Sequence, residues 1–332
     1  MIYFEICLCI FLILFILFVI YFSIFIFKSS ITRKLRNENE SYDFLLKKRV
    51  INDDLYKSLK KENIEITSID NLKLSAMLLL NKKHTNKFII LVHGISIGYI
   101  GSLKYFDIFF NNGFNVLIIH QRRHGKSEGK YSTYGYFEKQ DVNLWINYLV
   151  HRFGKNIILG LHGESMGAST VLQTIPLNNN IKFVIEDCGY CDLYELMKYE
   201  VSCHANKISY YPLLLALNIT NLIIKFKAKF RFQDVSPINI VKNTSIPILF
   251  IHGSKDTFVP SYMCEKLYNA KTKGLKQIFL VDNASHAESI IVNKELYSRK
   301  ISDFIQNALN GSDAKSAKRA KLCIDSNLYD LN

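Results

Sequence analysis

The sequence lacks the patterns that identify several classes of protein. Its seven cysteines are odd in number and irregularly spaced, so we predict neither a zinc site nor a disulfide framework. Lysine and arginine outnumber aspartate and glutamate by 42 to 29, giving a net charge of +13. These basic residues are scattered rather than gathered with aromatic residues into a stripe, so we expect no nucleic-acid partner. No internal repeat is evident, which argues against a repeat architecture.

A long apolar run begins near the N-terminus. Every residue from Ile6 to Phe27 except Ser23 is apolar. About 22 helical residues span roughly 33 Å, enough to cross a hydrocarbon core of about 30 Å. No basic region precedes the run and no small-residue cleavage site follows it, unlike a secretory signal peptide. We therefore expect residues 1–27 to form a single-pass transmembrane anchor that is retained.

The charges that flank this run predict its orientation. The segment after it is basic, with Lys28, Arg33, Lys34 and Arg36. The segment before it has only the terminal amine and Glu5. Because basic flanks favour the cytoplasmic side of a membrane, we expect the part of the chain that follows the run to lie in the cytoplasm. Residues 28–62 are charged with scattered apolar positions, and they predict a juxtamembrane segment of one or two helices.

The middle of the chain alternates between strands and helices. Ile64–Ile69 alternates like an edge strand, and Leu74–Leu80 is its expected hairpin partner. Short apolar runs predict further strands at 88–92, 116–119, 157–161, 183–185, 248–251 and 278–281. Helices are predicted at 102–112, 137–152, 166–175, 260–270 and 295–309. This rhythm indicates an α/β domain over residues 63–310, with a mainly parallel sheet covered by helices on both faces.

One interval interrupts the rhythm. About 60 residues rich in Tyr, Leu and Lys separate the strands predicted at 183–185 and 248–251. Because a structureless connection of that length would be exceptional, we predict an inserted helical cap over residues 190–235. Its apolar stretch 213–224 is too short to span a bilayer and is a candidate for a second membrane contact. The polar segment 311–332 lacks periodicity and is predicted to be a disordered tail.

A candidate nucleophile follows the strand predicted at 157–161. There the sequence His162-Gly-Glu-Ser165-Met-Gly167 leads into a helical segment. G-x-S-x-G between a strand and a helix is typical of a nucleophile elbow, in which flanking glycines permit a sharp turn that exposes the serine oxygen. We therefore predict that Ser165 is the nucleophile.

Two later positions complete the constellation. Asp256 follows the strand predicted at 248–251, and His286 follows the next one as the only histidine beyond Asp256. The order Ser, Asp, His is the one that this kind of fold requires. We predict His286 as general base and Asp256 as its acid. Asp187, which follows the strand after the nucleophile helix, is the alternative acid.

A third group is predicted to stabilise a developing negative charge. His93-Gly94-Ile95 ends a strand where a loop must approach the elbow. The backbone N–H groups of Ile95 and Met166 are therefore the expected oxyanion hole. Acyl transfer through a serine needs neither a metal nor an organic cofactor, and we predict none.

These motifs, with Gln121–Gly129 and Thr133–Glu138, resemble the α/β-hydrolase superfamily. More narrowly, they resemble its membrane-anchored bacterial serine hydrolases of the serine-aminopeptidase and dienelactone-hydrolase-like group. The resemblance covers about residues 64–309. It implies that Ser165 is acylated and that the acyl-enzyme is then hydrolysed. Two features depart from the family pattern: Gln121 stands where Asp is usual, and the segment after Gly94 lacks the extra glycines of many lipases.

The sequence thus predicts a hydrolase of the esterase, lipase or peptidase kind that cleaves a small-molecule carboxylic ester or amide. The Tyr- and Leu-rich cap and the nearby bilayer favour an apolar acyl group. Two alternatives stay open. An acyltransferase on the same scaffold would transfer the acyl group to an alcohol or thiol faster than to water, and an inactive membrane-anchored scaffold protein would not react with serine-directed phosphonates.

Overall fold

Eight strands form a single sheet in the computed structural model, which describes the backbone of residues 1–327 and the side chains of residues 1–310. The strands are β1 Lys61–Thr67, β2 Lys73–Leu79, β3 Lys87–Val92, β4 Asn115–Ile119, β5 Ile158–Glu164, β6 Ile181–Asp187, β7 Ile248–Gly253 and β8 Lys276–Val281. Their order is β1-β2-β4-β3-β5-β6-β7-β8. The β1–β2 and β2–β4 pairs are antiparallel and the others are parallel. The predicted mainly parallel sheet with an antiparallel hairpin at its edge is confirmed.

Helices connect and flank these strands. They are α1 Ile2–Ser30, α2 Glu38–Lys47, α3 Asp53–Ser58, α4 Phe106–Asn111, α5 Glu138–Phe153, α6 Met166–Thr174, α7 Leu193–His204, α8 Tyr210–Lys227, α9 Pro237–Val241, α10 Tyr262–Ala270, α11 Ser289–Val292 and α12 Lys294–Asn327. The helix predicted at 102–112 is shorter than expected, because a 3-10 turn occupies Tyr99–Lys104.

Apolar layers cover both faces of the sheet. Trp145 of α5, Leu172 of α6 and Met263 of α10 belong to one buried cluster. Phe109 of α4 and Phe304 of α12 belong to the other. The parallel strands are buried on both faces, which explains why they read as continuous apolar runs in the sequence. The two layers fix the carboxyl ends of the strands at one edge, where the candidate site lies.

Helix α1 is long and apolar enough to cross a membrane, and no other helix among the described residues is. Its last turns pack against α8. The Ser23 hydroxyl donates to the carbonyl oxygens of Val19 at 2.7 Å and Ala216 at 3.1 Å. The Thr220 hydroxyl donates to the carbonyl oxygen of Ser23 at 2.9 Å. Within an apolar contact, these bonds fasten α1 to the insertion.

The insertion between β6 and β7 is helical. Within the range 190–235 expected for the cap it contains α7, α8 and a 3-10 turn at Phe232–Asp234, and α9 follows before β7.

The C-terminal segment differs from its prediction. Helix α12 continues to Asn327, beyond the helix predicted at 295–309 and into the segment for which the sequence predicts a disordered tail. Alanine, lysine and arginine are frequent there. These residues favour helix without needing an apolar face, and the segment holds no proline to stop the helix. Residues 328–332 of the predicted tail lie outside the described residues.

Candidate active site

Ser165 stands at a sharp turn between β5 and α6. Its φ of +55° is uncommon for a residue with a side chain, and such a strained turn is what exposes the hydroxyl in a nucleophile elbow. A Cβ on Gly163 would lie 2.3 Å from the carbonyl oxygen of Gly167, and one on Gly167 would lie 2.0 Å from that of Val92. Backbone occupies both places, so only glycine fits on either side of Ser165.

Three loops bring the predicted serine, histidine and acid together. His286 Nε2 lies 2.8 Å from Ser165 Oγ, and His286 Nδ1 lies 2.7 Å from Asp256 Oδ2. The other carboxylate oxygen, Asp256 Oδ1, accepts hydrogen bonds from the backbone N–H groups of Phe258 and Val259, both at 2.9 Å. The acid is therefore held from two sides, and the imidazole lies between it and the serine.

The electrostatics of Asp256 set the proton positions in this arrangement. Burial alone would raise the pKa of Asp256, but hydrogen bonds from His252 and His286 outweigh it and lower the pKa to about 2. The carboxylate is thus ionised at neutral pH and accepts the Nδ1 proton of His286. The other ring nitrogen of His286, Nε2, is then free to accept the proton of Ser165 Oγ.

His252 is a site residue that the sequence did not predict. Its Nε2 lies 3.2 Å from Asp256 Oδ2 and 2.7 Å from the carbonyl oxygen of Val259. Burial lowers the pKa of His252, but the bond to Asp256 outweighs this and the net direction is upward. The available signal was a histidine within an apolar strand, four residues before the acid.

The alternative acid has different neighbours. Asp187 is buried, and its Oδ2 accepts hydrogen bonds from Tyr105 Oη at 3.2 Å and Tyr297 Oη at 2.9 Å. Burial, and then the neighbouring Glu164, raise the pKa of Asp187 to about 6. Among the described residues, the carboxylate bonded to His286 is that of Asp256.

The predicted oxyanion loop lies against the elbow. A Cβ on Gly94 would lie 3.3 Å from Ser165 Cβ, so the loop backbone passes directly beside the serine. Neither the Ile95 N–H nor the Met166 N–H has an acceptor among the described residues. One unpaired backbone donor therefore lies in this loop, and the other belongs to the residue directly after Ser165.

Gln121, which replaces the aspartate usual in the family, supports this loop. Its side-chain Nε2 donates to the carbonyl oxygen of His93 at 2.5 Å, and its backbone N–H donates to His93 Nε2 at 3.1 Å. An ionised aspartate has no hydrogen to donate and could not make the first bond. The departure thus leaves the loop supported rather than weakened.

A buried ion pair connects the elbow to the histidine loop. Lys104 Nζ lies 2.5 Å from Glu164 Oε2, with the two side chains 3% and 4% exposed. The same ammonium donates to the carbonyl oxygen of Ala287 at 2.8 Å. Because Glu164 precedes Ser165 and Ala287 follows His286, Lys104 holds two parts of the site in register. No spacing in the sequence links Lys104 to Glu164, so the sequence does not predict this ion pair.

A cleft of about 430 Å³ opens over Ser165. Its apolar wall consists of Phe44, Leu45, Ile95, Ile97, Phe258 and Ile291. Its charged lining residues are Arg33, Arg36, Lys104, Glu164 and Glu288. The lining residues between positions 33 and 45 come from the segment that follows α1. The sequence did not predict their place in the cleft, because nearness to α1 in sequence gives no reason for it.

One group of side chains near the triad has metal-ligand atoms. Cys188, Asp256 and His286 bring such atoms within 4.8 Å of one another. Asp256 and His286 are already bonded to each other, and burial raises the pKa of the Cys188 thiol well above its usual value. Because metals bind the thiolate, this donor set is a poor fit for a metal. Cys191, three residues further on, is also buried, and burial raises the pKa of its thiol to about 12.

Comparisons with known proteins agree with this geometry. The family model for the serine aminopeptidases S33 matches residues 83–191. YqkD of Bacillus subtilis is 33% identical over 225 residues, which cover 67% of this chain and 72% of that protein. The yeast membrane protein YNL320W is 27% identical over 248 residues, covering 74% of this chain and 79% of that protein.

Solved structures show the same fold at low identity. The Pyrococcus furiosus esterase Pf2001 has a TM-score of 0.61 and 23% identity, covering 77% of this chain and 94% of that one. The acylaminoacyl peptidase of Pyrococcus horikoshii has a TM-score of 0.53 and 17% identity, covering 75% of this chain and 42% of that one. The similarity to YqkD extends over most of that protein, and the fold is the one that the esterase and the peptidase share. The chain belongs to the α/β-hydrolase superfamily.

Proposed function

We propose that the chain is a serine hydrolase that cleaves a carboxylic ester or amide through an acyl-enzyme on Ser165. The observation that carries the proposal is the continuous path of hydrogen bonds from Ser165 through His286 to Asp256. Ser165 and His286 line the cleft, and the backbone N–H groups of Ile95 and Met166 have no acceptor in the described part of the chain.

In the first half of the reaction, Ser165 Oγ attacks the substrate carbonyl carbon while its proton passes to His286 Nε2. The Asp256 carboxylate stabilises the imidazolium that forms. The carbonyl oxygen becomes an oxyanion, which accepts hydrogen bonds from the N–H groups of Ile95 and Met166. When the tetrahedral intermediate collapses, the bond to the leaving alcohol or amine breaks, and that group takes the proton from His286.

In the second half, water attacks the acyl carbon and gives a proton to His286 Nε2. The bond between the acyl carbon and Ser165 Oγ then breaks, and the serine oxygen recovers its proton from His286. The products are a carboxylic acid and the regenerated enzyme. The apolar wall of the cleft suits an acyl group with a hydrocarbon portion, since burying that portion is favourable.

We further propose that α1 anchors this enzyme in a membrane. On this interpretation residues 1–27 are the anchor, residues 28–62 a juxtamembrane segment, and residues 63–310 the catalytic domain with its cap at 190–235. The length and apolar character of α1 support the anchor, and the yeast relative is named a membrane protein. The basic flank after α1 favours a cytoplasmic catalytic domain.

The test is labelling of the full chain in detergent with a fluorophosphonate, followed by hydrolysis of p-nitrophenyl hexanoate. The wild type should be labelled, and Ser165→Ala should lose the label and nearly all turnover, since removing a triad member leaves only about 10³–10⁴-fold catalysis over water. Ser202→Ala, which changes an exposed serine of α7, is the matched control and should behave as wild type. Wild-type labelling of Ser165→Ala would refute the nucleophile, and absence of labelling in the wild type would favour the inactive scaffold.

A further inference from the structure

The segment that follows α1 returns across the candidate active site. The Ser132 N–H donates to the carbonyl oxygen of Ile31 at 3.1 Å, and the Arg36 N–H donates to that of Ser96 at 2.9 Å. Ser96 belongs to the loop that carries Ile95. The backbone between Ile31 and Arg36 is therefore held against the site at both ends, although it is distant from Ser165 in sequence.

This segment places two guanidinium groups at the cleft. The guanidinium carbon of Arg33 lies 5.8 Å from the centre of the Phe258 ring, and that ring lies 4.9 Å from the ring of His286. Arg36 lines the same cleft. Arg33 is thus separated from the proposed general base by one aromatic side chain.

The charges that line the cleft do not cancel. Lys104 and Glu164 neutralise each other, which leaves Glu288 against the two arginines. No carboxylate of the described part of the chain lies within the 4.0 Å ion-pair distance of Arg33 or Arg36. Both guanidinium groups are exposed and have their planar forks of N–H donors available, which match a carboxylate or phosphate.

We infer that the substrate carries a negatively charged group, which Arg33 and Arg36 bind while the scissile carbonyl lies at Ser165. This inference rests on the proposed serine hydrolase function. The apolar wall holds the hydrocarbon portion and the arginines hold a carboxylate or phosphate. That anion belongs either to a soluble ester or to a lipid headgroup beside α1.

Two pairs of substrates test this with the full chain in neutral detergent. The first pair is p-nitrophenyl hexanoate and the mono-p-nitrophenyl ester of adipic acid, which differ by a terminal carboxylate on the acyl group. The second pair is a monoacylglycerol and the corresponding lysophosphatidic acid, which differ by a phosphate on the leaving group. The wild type should prefer the charged member of at least one pair. A preference confined to the first pair indicates a soluble ester, and one confined to the second indicates a lipid headgroup.

The double variant Arg33→Gln/Arg36→Gln should raise the KM of the preferred charged substrate at least tenfold and leave the neutral one unchanged. Lys28→Gln/Lys34→Gln is the matched control, since it removes the same charge from the last turn of α1 and the segment after it, at residues that do not line the cleft. The inference would be overturned if both double variants raised the KM of the charged substrate equally. An equal rise in KM for the charged and the neutral substrate would also overturn it. If the wild type is labelled and hydrolyses hexanoate without discriminating within either pair, this inference fails alone; if it is not labelled, the proposed function fails.

A separate observation concerns the outer face of α8. The inner face is buried and includes Ala216, Leu217, Thr220 and Ile224. The opposite face exposes Tyr211 by 73%, Leu215 by 43%, Leu222 by 53% and Phe226 by 65%. At 100° per residue these four positions fall within about 60° of one another on the helix. The helix is therefore apolar on the side that faces the enzyme and also on the side that faces away from it.

The position of α8 beside α1 identifies what covers this outer face. Ser23 and Thr220 bond the two helices together, and Lys227 Nζ lies 5.6 Å from the Phe27 ring. These contacts make the two helices run in the same direction, so the N-terminal half of α8 points toward the exposed apolar half of α1. We propose that the N-terminal half of this outer face, with Tyr211 and Leu215, contacts the same membrane that α1 spans.

Site-specific fluorescence tests this in vesicles of phosphatidylcholine and phosphatidylglycerol. Cys7, Cys9, Cys203 and Cys323 are replaced by serine, and bimane is attached at Leu215→Cys or Leu80→Cys. The two native leucines are equally exposed, at 43%, but Leu80 follows β2 at the edge of the sheet opposite the site. Nitroxide-labelled lipid should quench the Leu215→Cys probe several-fold more than the Leu80→Cys probe, with hexanoate turnover retained. Equal quenching by lipid at the two positions would refute the membrane contact.

Discussion

His286 Nδ1 lies 2.7 Å from Asp256 Oδ2, while the alternative acid Asp187 is bonded to two tyrosine hydroxyls. The two carboxylates therefore differ in whether they can orient the imidazole of His286. The low pKa of Asp256 keeps it charged against the imidazole. The raised pKa of Asp187 shows a carboxylate whose charge is opposed by its burial.

Replacing Asp256 by Asn should lower kcat by about 10⁴-fold with little change in KM, because the amide keeps the shape but no longer holds the imidazole in the required tautomer. Steady-state kinetics on p-nitrophenyl hexanoate measure both constants. Asp282→Asn changes an exposed acid at the end of β8 and should remain within about twofold of wild type. Near-normal kcat in Asp256→Asn would remove Asp256 from the mechanism.

Replacing Asp187 by Asn should leave kcat within a few-fold of wild type and should stabilise the protein at neutral pH. The amide oxygen can still accept the bonds of Tyr105 and Tyr297. The pKa of the native carboxyl rises from 3.8 to about 6 on folding, so the folded state binds more protons and stability falls as pH rises between these values. The penalty is complete above pH 6 and amounts to about 3 kcal/mol at most.

Thermal unfolding at pH 4 and pH 7.5 tests this sign. The Tm of Asp187→Asn should exceed that of the wild type at pH 7.5, and the difference should shrink toward pH 4, where the native carboxyl is largely protonated when folded. An inactive Asp187→Asn beside an active Asp256→Asn would move the catalytic acid to Asp187.

Replacing Gln121 by Met should impair catalysis without displacing the triad. The substitution keeps the shape of the side chain but removes the donor that holds the His93 carbonyl, so the loop that carries Ile95 is released. Loss of one oxyanion donor costs about 10²–10³ in kcat, and partial displacement should cost up to that amount. Fluorophosphonate should still label the Gln121→Met variant, but at a lower rate than wild type. An unchanged kcat would show that Gln121 does not position the loop.

The sequence was sufficient to predict the sheet and the sharp turn at Ser165, because both depend on local patterns. Doubly buried strands appear as continuous apolar runs, and the two glycines around Ser165 are imposed by backbone contacts at 2.3 and 2.0 Å. The order of Asp256 and His286 followed from the topology. None of these needed knowledge of a distant contact.

Other features of the site depend on contacts that leave no periodic signal. Arg33 reaches the cleft only because the segment after α1 folds back over it. The role of Lys104 can be recognised only when the fold has brought Glu164 and Ala287 next to it. Helix α12 exceeds its prediction for a different reason, since its last part is favoured by helix propensity rather than by an apolar face.

Removing only Arg122 from its ion pair with Asp141 should destabilise the protein strongly, whereas removing both partners should not. Arg122 Nε and Nη2 donate to the two Asp141 oxygens at 2.7 and 2.8 Å, and the side chains are 4% and 3% exposed. Burial raises the pKa of Asp141 to about 6 even with the guanidinium beside it. Arg122→Met would leave that carboxylate buried and unpaired, which costs about 3–5 kcal/mol.

The double variant Arg122→Met/Asp141→Leu should recover most of this loss, because replacing a buried ion pair by apolar side chains is often close to neutral. The other partner, Asp70, is 44% exposed and can return to water. The deficit of the single variant should also shrink as pH falls from 7.5 toward 6, because loss of the guanidinium raises the pKa of the stranded Asp141 carboxyl further and it then takes a proton. Thermal unfolding of wild type, single and double variants at pH 5 and pH 7.5 measures these differences. A double variant less stable than Arg122→Met would show that the pair itself, rather than the unpaired charge, determines the stability of this loop.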